Sequence, residues 1–95
     1  MNVIWTRPAA RDLAAIQDYI ARDNPQAACH LAQAIRRHVR NLAHQPGIGR
    51  QGRVDGTREL VISSTPYIVP YRVRGDRVEI LAVFHGARKW PESFG

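Results

Sequence analysis

The sequence predicts an α+β fold in the order β-α-α-β-β-β, with a helical hairpin packed on a small, mostly antiparallel sheet. Three observations carry this: apolar residues at helical spacing up to residue 42, alternating spacing after Gly56, and a Pro/Gly-rich break between them. Val3, Ile4 and Trp5 form a short first strand. Thr6 offers a side-chain oxygen as an N-cap, and Pro8 falls in the first turn of a helix with the stripe Ala9, Leu13, Ile16 and Ile20. Asp23-Asn24-Pro25 interrupts it; Asn24 is the next cap and Pro25 opens a second helix. That helix carries Ala28, Leu31, Ile35, Val39 and Leu42, and Gln45-Pro46-Gly47 ends it. Two amphipathic helices joined by a tight turn make a hairpin. Leu60 and Ile62 then alternate with Glu59, Val61 and Ser63, and Tyr67, Val69, Tyr71 and Val73 with Ile68, Pro70, Arg72 and Arg74. Gly75-Asp76 is a two-residue hairpin turn, after which Val78, Ile80, Ala82 and Phe84 line one face of the last strand. Pro70 has no N–H for a ladder, so it calls for an edge position or a bulge. The tail from Arg88 to Gly95 is irregular or a single turn. With no repeat, linker or low-complexity tract, residues 1–95 read as one domain.

Composition narrows the function. No apolar run approaches the roughly 18–20 residues that span a bilayer, and the N-terminus lacks the layout of a secretion signal. The single cysteine, Cys29, allows no internal disulfide and suits a reducing cytosol, which places the chain in the cytoplasm. Fourteen basic residues face eight acidic ones for a net charge of +6, and Lys89 is the only lysine among them. Arginine grips phosphates and carboxylates through a planar fork, which points to a polyanionic partner: nucleic acid or an acidic protein segment. A solvated, arginine-rich surface explains part of the same bias.

Several motifs invite a chemical reading. Gly47-x-Gly49-x-x-Gly52 matches the dinucleotide fingerprint in letters, but that site needs a strand before it and a helix after it. Here a helix precedes and a strand follows, so a flexible, basic connection carrying Arg50 and Arg53 is the better reading. His30, His38 and His44 are spaced so that no pair shares a helix face, and zinc asks for closer spacing or cysteine partners. Neither a metal nor a cofactor is expected. Cys29 has only His30 beside it and reads as a packed or partly buried thiol. There remains a basic group: Arg58, Arg72, Arg74, Arg77, His85, Arg88 and Lys89. A histidine among arginines suits acid–base chemistry on a phosphodiester, and equally a structural histidine on a solvated face. Trp90 beside Arg88 and Lys89 is either an anchor for a partner or a lid folded onto the core.

The strings Gly56-Thr57-Arg58-Glu59-Leu60-Val61-Ile62, Thr65-Pro66-Tyr67-Ile68-Val69-Pro70-Tyr71-Arg72-Val73 and Val78-Glu79-Ile80-Leu81-Ala82-Val83-Phe84-His85-Gly86-Ala87-Arg88 closely resemble the RelE/ParE toxin superfamily, closer to ParE. The Pro46-Gly47-Ile48-Gly49 loop and the leading β-α-α segment fit as well. The resemblance implies the RelE-like fold, a four-stranded sheet under a two-helix hairpin. It also implies a cognate antitoxin, ParD-like and DNA-binding, that masks the toxin and contacts operator DNA on behalf of the pair.

Members of this superfamily divide by target into ribosome-dependent mRNA endonucleases and poisons of DNA gyrase. The nucleases carry an arginine after the aromatic that opens the third strand, where this chain has Ile68. Their second-strand lysines match Glu59 and Val61, and their C-terminal tyrosine matches Phe94; only the basic residue at Arg88 survives. The resemblance therefore implies a gyrase-directed toxin with no catalytic residue of its own. Arg58, Arg72, Arg88, Lys89 and Trp90 are its expected target-binding residues. An endonuclease working through His85 and Arg88 on ribosome-bound mRNA is the alternative. A third is an inactive toxin that binds only its antitoxin.

Overall fold

Strand β1 (Asn2–Trp5) runs through Thr6 into helix α1 (Arg7–Ala21). A computed structural model describes residues 1–94; the end of the predicted tail, Gly95, lies outside the described residues. Thr6 caps as its sequence position predicts. Its Oγ1 accepts from the Ala9 N–H at 3.4 Å and donates to the Ile80 carbonyl at 2.7 Å, so the cap also ties the helix to the sheet. Helix α2 (Pro25–Arg40) opens on Asn24, whose Oδ1 accepts from the Ala27 N–H at 3.0 Å. The α-helix ends at Arg40, earlier than the apolar stripe suggests, and a 3-10 turn (Asn41–Ala43) carries Leu42 into the core. Cys29 is exposed rather than packed, because α2 buries the neighbouring Ala28, with Ala32, Ile35 and Val39.

The remaining strands are β2 (Arg50–Gln51), β3 (Arg58–Val61), β4 (Tyr67–Arg74), β5 (Arg77–Ile80) and β6 (Phe84–His85). Their order is β1-β5-β4-β3-β2, with β6 pairing β4 beyond the end of β5. Among the described residues only β1 and β5 run parallel; the other pairs are antiparallel. The expected helix-on-sheet fold holds, with six strands rather than four because β2 and β6 are short additions. The helical hairpin covers one sheet face through Leu13, Ile35, Leu60, Val69, Tyr71 and Ile80. Gly75 has φ +57, which opens the predicted turn between β4 and β5.

The last strand departs from expectation. Tyr71 pairs with Ile80 and Ile68 with Phe84, so three steps along β4 face four on the other chain segment. One extra residue is a β-bulge, and it reverses which face each following side chain meets. Val78, Ile80 and Val83 therefore join the helix-side core, while Phe84 turns to the opposite face; Ala82 and Phe84 do not continue the Val78–Ile80 stripe. Pro70 lies on a central strand, so the edge alternative fails and the bulge alternative holds. The Leu81 N–H donates to the Pro70 carbonyl at 2.9 Å, which puts the missing proline N–H on the side where the ladder is already interrupted. The Val83 N–H, displaced from the ladder, donates to Asp12 Oδ2 of α1 at 3.0 Å.

Asp12→Ala removes the acceptor for that N–H and should cost about 1–3 kcal/mol of stability. Asp18→Ala, exposed on the same helix, should stay within about 0.5 kcal/mol of the parent. Urea unfolding of the two variants measures the difference.

Candidate functional site

The connection from α2 to β3 is fixed by two buried side chains rather than left loose as the sequence suggested. Tyr71, fully buried on β4, donates its hydroxyl to the Pro46 carbonyl at 2.8 Å and accepts from the Gly49 N–H at 2.8 Å. Burial pushes this phenol above its usual value, against the pull of the Gly49 N–H and the Arg58 charge, so it stays a donor. A Cβ on Gly49 would lie 2.6 Å from the Tyr71 ring and hydroxyl, and one on Gly52 would strike Thr57, whereas Gly47 borders open space. Two of the three fingerprint glycines thus serve close packing. Arg58 adds a clamp, donating to the carbonyls of Gly47 (3.3 Å) and Gly49 (2.9 Å).

Glu59 is the second fixed point. Strand alternation places it on the face away from the helices, yet it is only 2% exposed. Its Oε1 accepts from Arg50 Nε (3.1 Å) and Arg50 NH2 (2.9 Å); its Oε2 accepts from the Arg53 N–H (2.8 Å) and Arg53 Nε (3.1 Å). Burial alone would raise its pKa. The Arg53 backbone N–H and the side chains of Arg50 and Arg53 outweigh that and hold the carboxyl below 4.5. Sequence reasoning missed this role; the available signal was a lone acid among arginines, since no other lies between Asp55 and Asp76.

On the same outer face, Phe84 is the seat for the tail. Trp90 meets it edge-on at 5.1 Å, Phe94 stacks at 6.1 Å, and the Arg88 guanidinium lies 4.6 Å from its ring centroid. The Arg53 guanidinium covers the other ring, 3.8 Å from the Trp90 centroid. Of the two readings of Trp90, the folded-back one describes its position. The segment itself is a turn and irregular chain, as expected.

The basic group divides. Arg72, Arg74 and Arg77 converge on Glu79 at 2.8, 3.8 and 3.8 Å, and the Arg72 hydrogen bond leads the causes that lower the Glu79 pKa. Arg58 stands apart against the glycine loop. Arg88 and Lys89 are exposed, and neither forms an ion pair among the described residues. A cleft of about 510 Å³ lies between the tail and the start of α1, with Leu81, Ala82 and Phe84 in its wall and Arg72 and Arg88 beside it. His85 looks to the helix side, edge-on to Tyr67 at 5.8 Å, with Nδ1 accepting from the Ala87 N–H at 3.1 Å. It shares a second recess of about 240 Å³ with Asp12, Tyr67 and Arg88. No cluster of three or more metal-ligating side chains exists among the described residues.

This geometry has known relatives. Residues 3–90 match the family model of the ParE toxin of the type II toxin–antitoxin system parDE. The Y4kP protein of Sinorhizobium fredii is 47% identical over 91 residues, covering 96% of this chain and 94% of that one. Toxin RelE2 of Caulobacter vibrioides is 38% identical over 87 residues, with 92% and 97% covered. A chain in the solved structure of a chromosomal ParDE system from P. aeruginosa superposes with a TM-score of 0.82 at 35% identity, covering 90% of this chain and 95% of its own.

Two outcomes follow from the loop. Gly49→Ala should destabilise the chain by about 1–3 kcal/mol through overpacking on Tyr71, while Gly47→Ala should be neutral or slightly stabilising; thermal melts read both. The folded-state pKa of Glu59 is depressed, so its contribution is present above pH 4.5 and lost as pH falls through the folded value. Glu59→Gln should therefore be less stable than the parent at pH 7, by about 1–3 kcal/mol, with the gap closing in acid. Urea midpoints across pH 3 to 7 test that convergence.

Proposed function

The chain belongs to the ParE toxin family of type II toxin–antitoxin systems, and on that premise we propose that it acts in the cytoplasm as an inhibitor of DNA gyrase. One observation carries the choice of target. Of the positions where a nuclease of the wider superfamily needs catalytic side chains, three hold packed residues here and a fourth, Val61, is exposed but has no group that could move a proton or hold a phosphate. Ile68 is buried against the tail turn at Gly86, Glu59 is consumed by Arg50 and Arg53, and Phe94 stacks on Phe84. Groups committed to packing are unavailable for proton transfer or phosphate binding. Poisoning by binding needs none of them.

The target-facing surface is the tail and its surroundings: Arg88 and Lys89, exposed and without an ion pair among the described residues, with Trp90 beside them and Arg72 in the wall of the adjoining cleft, while Arg58, held on the glycine loop, lies apart from it. A cognate ParD-like antitoxin masks the toxin, contacts operator DNA and represses transcription of the pair. The ParDE system in the solved relative and the net charge of +6, which suits an acidic antitoxin segment, support this part. The endonuclease reading retains one supporting observation, the recess shared by His85 and Arg88.

Purified chain freed of antitoxin, incubated with DNA gyrase, ATP and relaxed plasmid, should block supercoiling and trap cleavage complexes. Arg88→Ala, which removes an exposed cation, and Trp90→Ala, which removes the packing that seats the tail, should each raise the half-inhibitory concentration about 10-fold. Intact gyrase activity together with message cut at the ribosome in a parallel cell-free translation would overturn this reading in favour of His85 and Arg88.

A further inference from the structure

The conformation of the tail is set by side chains. Beyond the Arg88 N–H, which donates to the His85 carbonyl at 2.9 Å, no backbone–backbone hydrogen bond holds residues 89–94 among the described residues. Trp90 is fixed by its ring faces and edges alone: its Nε1 is buried without a hydrogen-bond partner among the described residues. Its ring contacts among the described residues are the edge-on Phe84 ring and the Arg53 guanidinium. Arg53 meets two partners with one group: its Nε donates to Glu59 Oε2 at 3.1 Å, and its guanidinium carbon lies over the indole, 3.8 Å from the Trp90 ring centroid. Its main-chain N–H is held by the same Glu59 oxygen, and Arg50 occupies the other oxygen. The carboxylate therefore has no freedom to follow the tail.

From this geometry we propose that Arg53, locked by Glu59, is a positioning residue that clasps Trp90 and so presents Arg88 and Lys89 in the arrangement that engages gyrase. The proposal rests on the reading of the tail as the target-facing surface. It assigns to the glycine-rich loop a role in target engagement without direct contact with the target. Lysine cannot replace Arg53 fully, because an ammonium that reaches Glu59 has no planar face for the indole.

The test uses a Trp5→Phe background, in which Trp90 is the sole tryptophan emitter, in the full chain freed of antitoxin. Arg53→Ala, Arg53→Lys and Glu59→Gln are compared for acrylamide quenching of Trp90 and for inhibition of gyrase supercoiling, with circular dichroism reporting the fold. Quenching should rise about 2-fold and the half-inhibitory concentration about 10-fold in Arg53→Ala, with smaller changes in the other two. Glu59→Gln is informative because Glu59 acts on Trp90 only through Arg53. Unchanged quenching in folded Arg53→Lys and Arg53→Ala overturns the clasp. Raised quenching with undiminished inhibition also overturns it as a positioning device. In that case Trp90→Ala separates the causes: inhibition lost there faults the clasp alone, and inhibition retained faults the tail reading itself.

Discussion

The one-residue bulge between β5 and β6 governs the architecture of the C-terminal half of the molecule. Without it, alternation would send Phe84 toward the helices with Val78 and Ile80. With it, Val83 fills the helix-side core and Phe84 crosses to the outer face, where Trp90, Phe94 and Arg88 all gather on its ring. Three features hold the bulge in place. Pro70 has no N–H to lose, the Leu81 N–H bonds to the Pro70 carbonyl, and Asp12 accepts the displaced Val83 N–H. A strand that would ordinarily be interrupted by proline instead uses it at the position where pairing is already broken.

The outer face thereby acquires a small second core, and Glu59 closes its other side. A buried carboxylate is stabilising only when its hydrogen-bonding capacity is met, and the two arginines with the Arg53 N–H meet it here. The same arginines order a loop that would otherwise hang between helix and sheet, while Tyr71 pins it from the helix side. The polar chemistry of the chain is thus largely invested in fixing shape. Arg88 and Lys89 are among the cations left exposed.

Much of the fold was legible because it rests on local physics. Thr6 and Asn24 announce the helix starts, Gly75-Asp76 announces the hairpin, and the periodicity change at Gly56 separates the helical and sheet halves. Pro70 even marked the bulge. What the bulge does was not legible, since a single inserted residue leaves the apolar run Leu81-Ala82-Val83-Phe84 looking like continuous strand. Burial on both faces of the sheet hides the phase. Glu59 and Arg53 were missed for a related reason: strand alternation puts a polar residue on the outer face, and solvent is the default occupant of that face. Here the chain's own tail occupies it. Cys29 was read as packed because nothing beside it would activate a thiol, although the apolar stripe already ran through its neighbour Ala28 and left Cys29 off the buried face.

All of this depends on the tail being seated on the outward-facing Phe84 ring. Nuclear Overhauser contacts from the Phe84 ring protons in solution test it most directly. Cross-peaks are expected from Phe84 to the Trp90 indole and the Phe94 ring, and from the Val83 methyls to Ile16 or Tyr67 on the helix side. Cross-peaks from Phe84 to Leu13 or Ile16, with none to Trp90, would show a continuous strand without the bulge and contradict it.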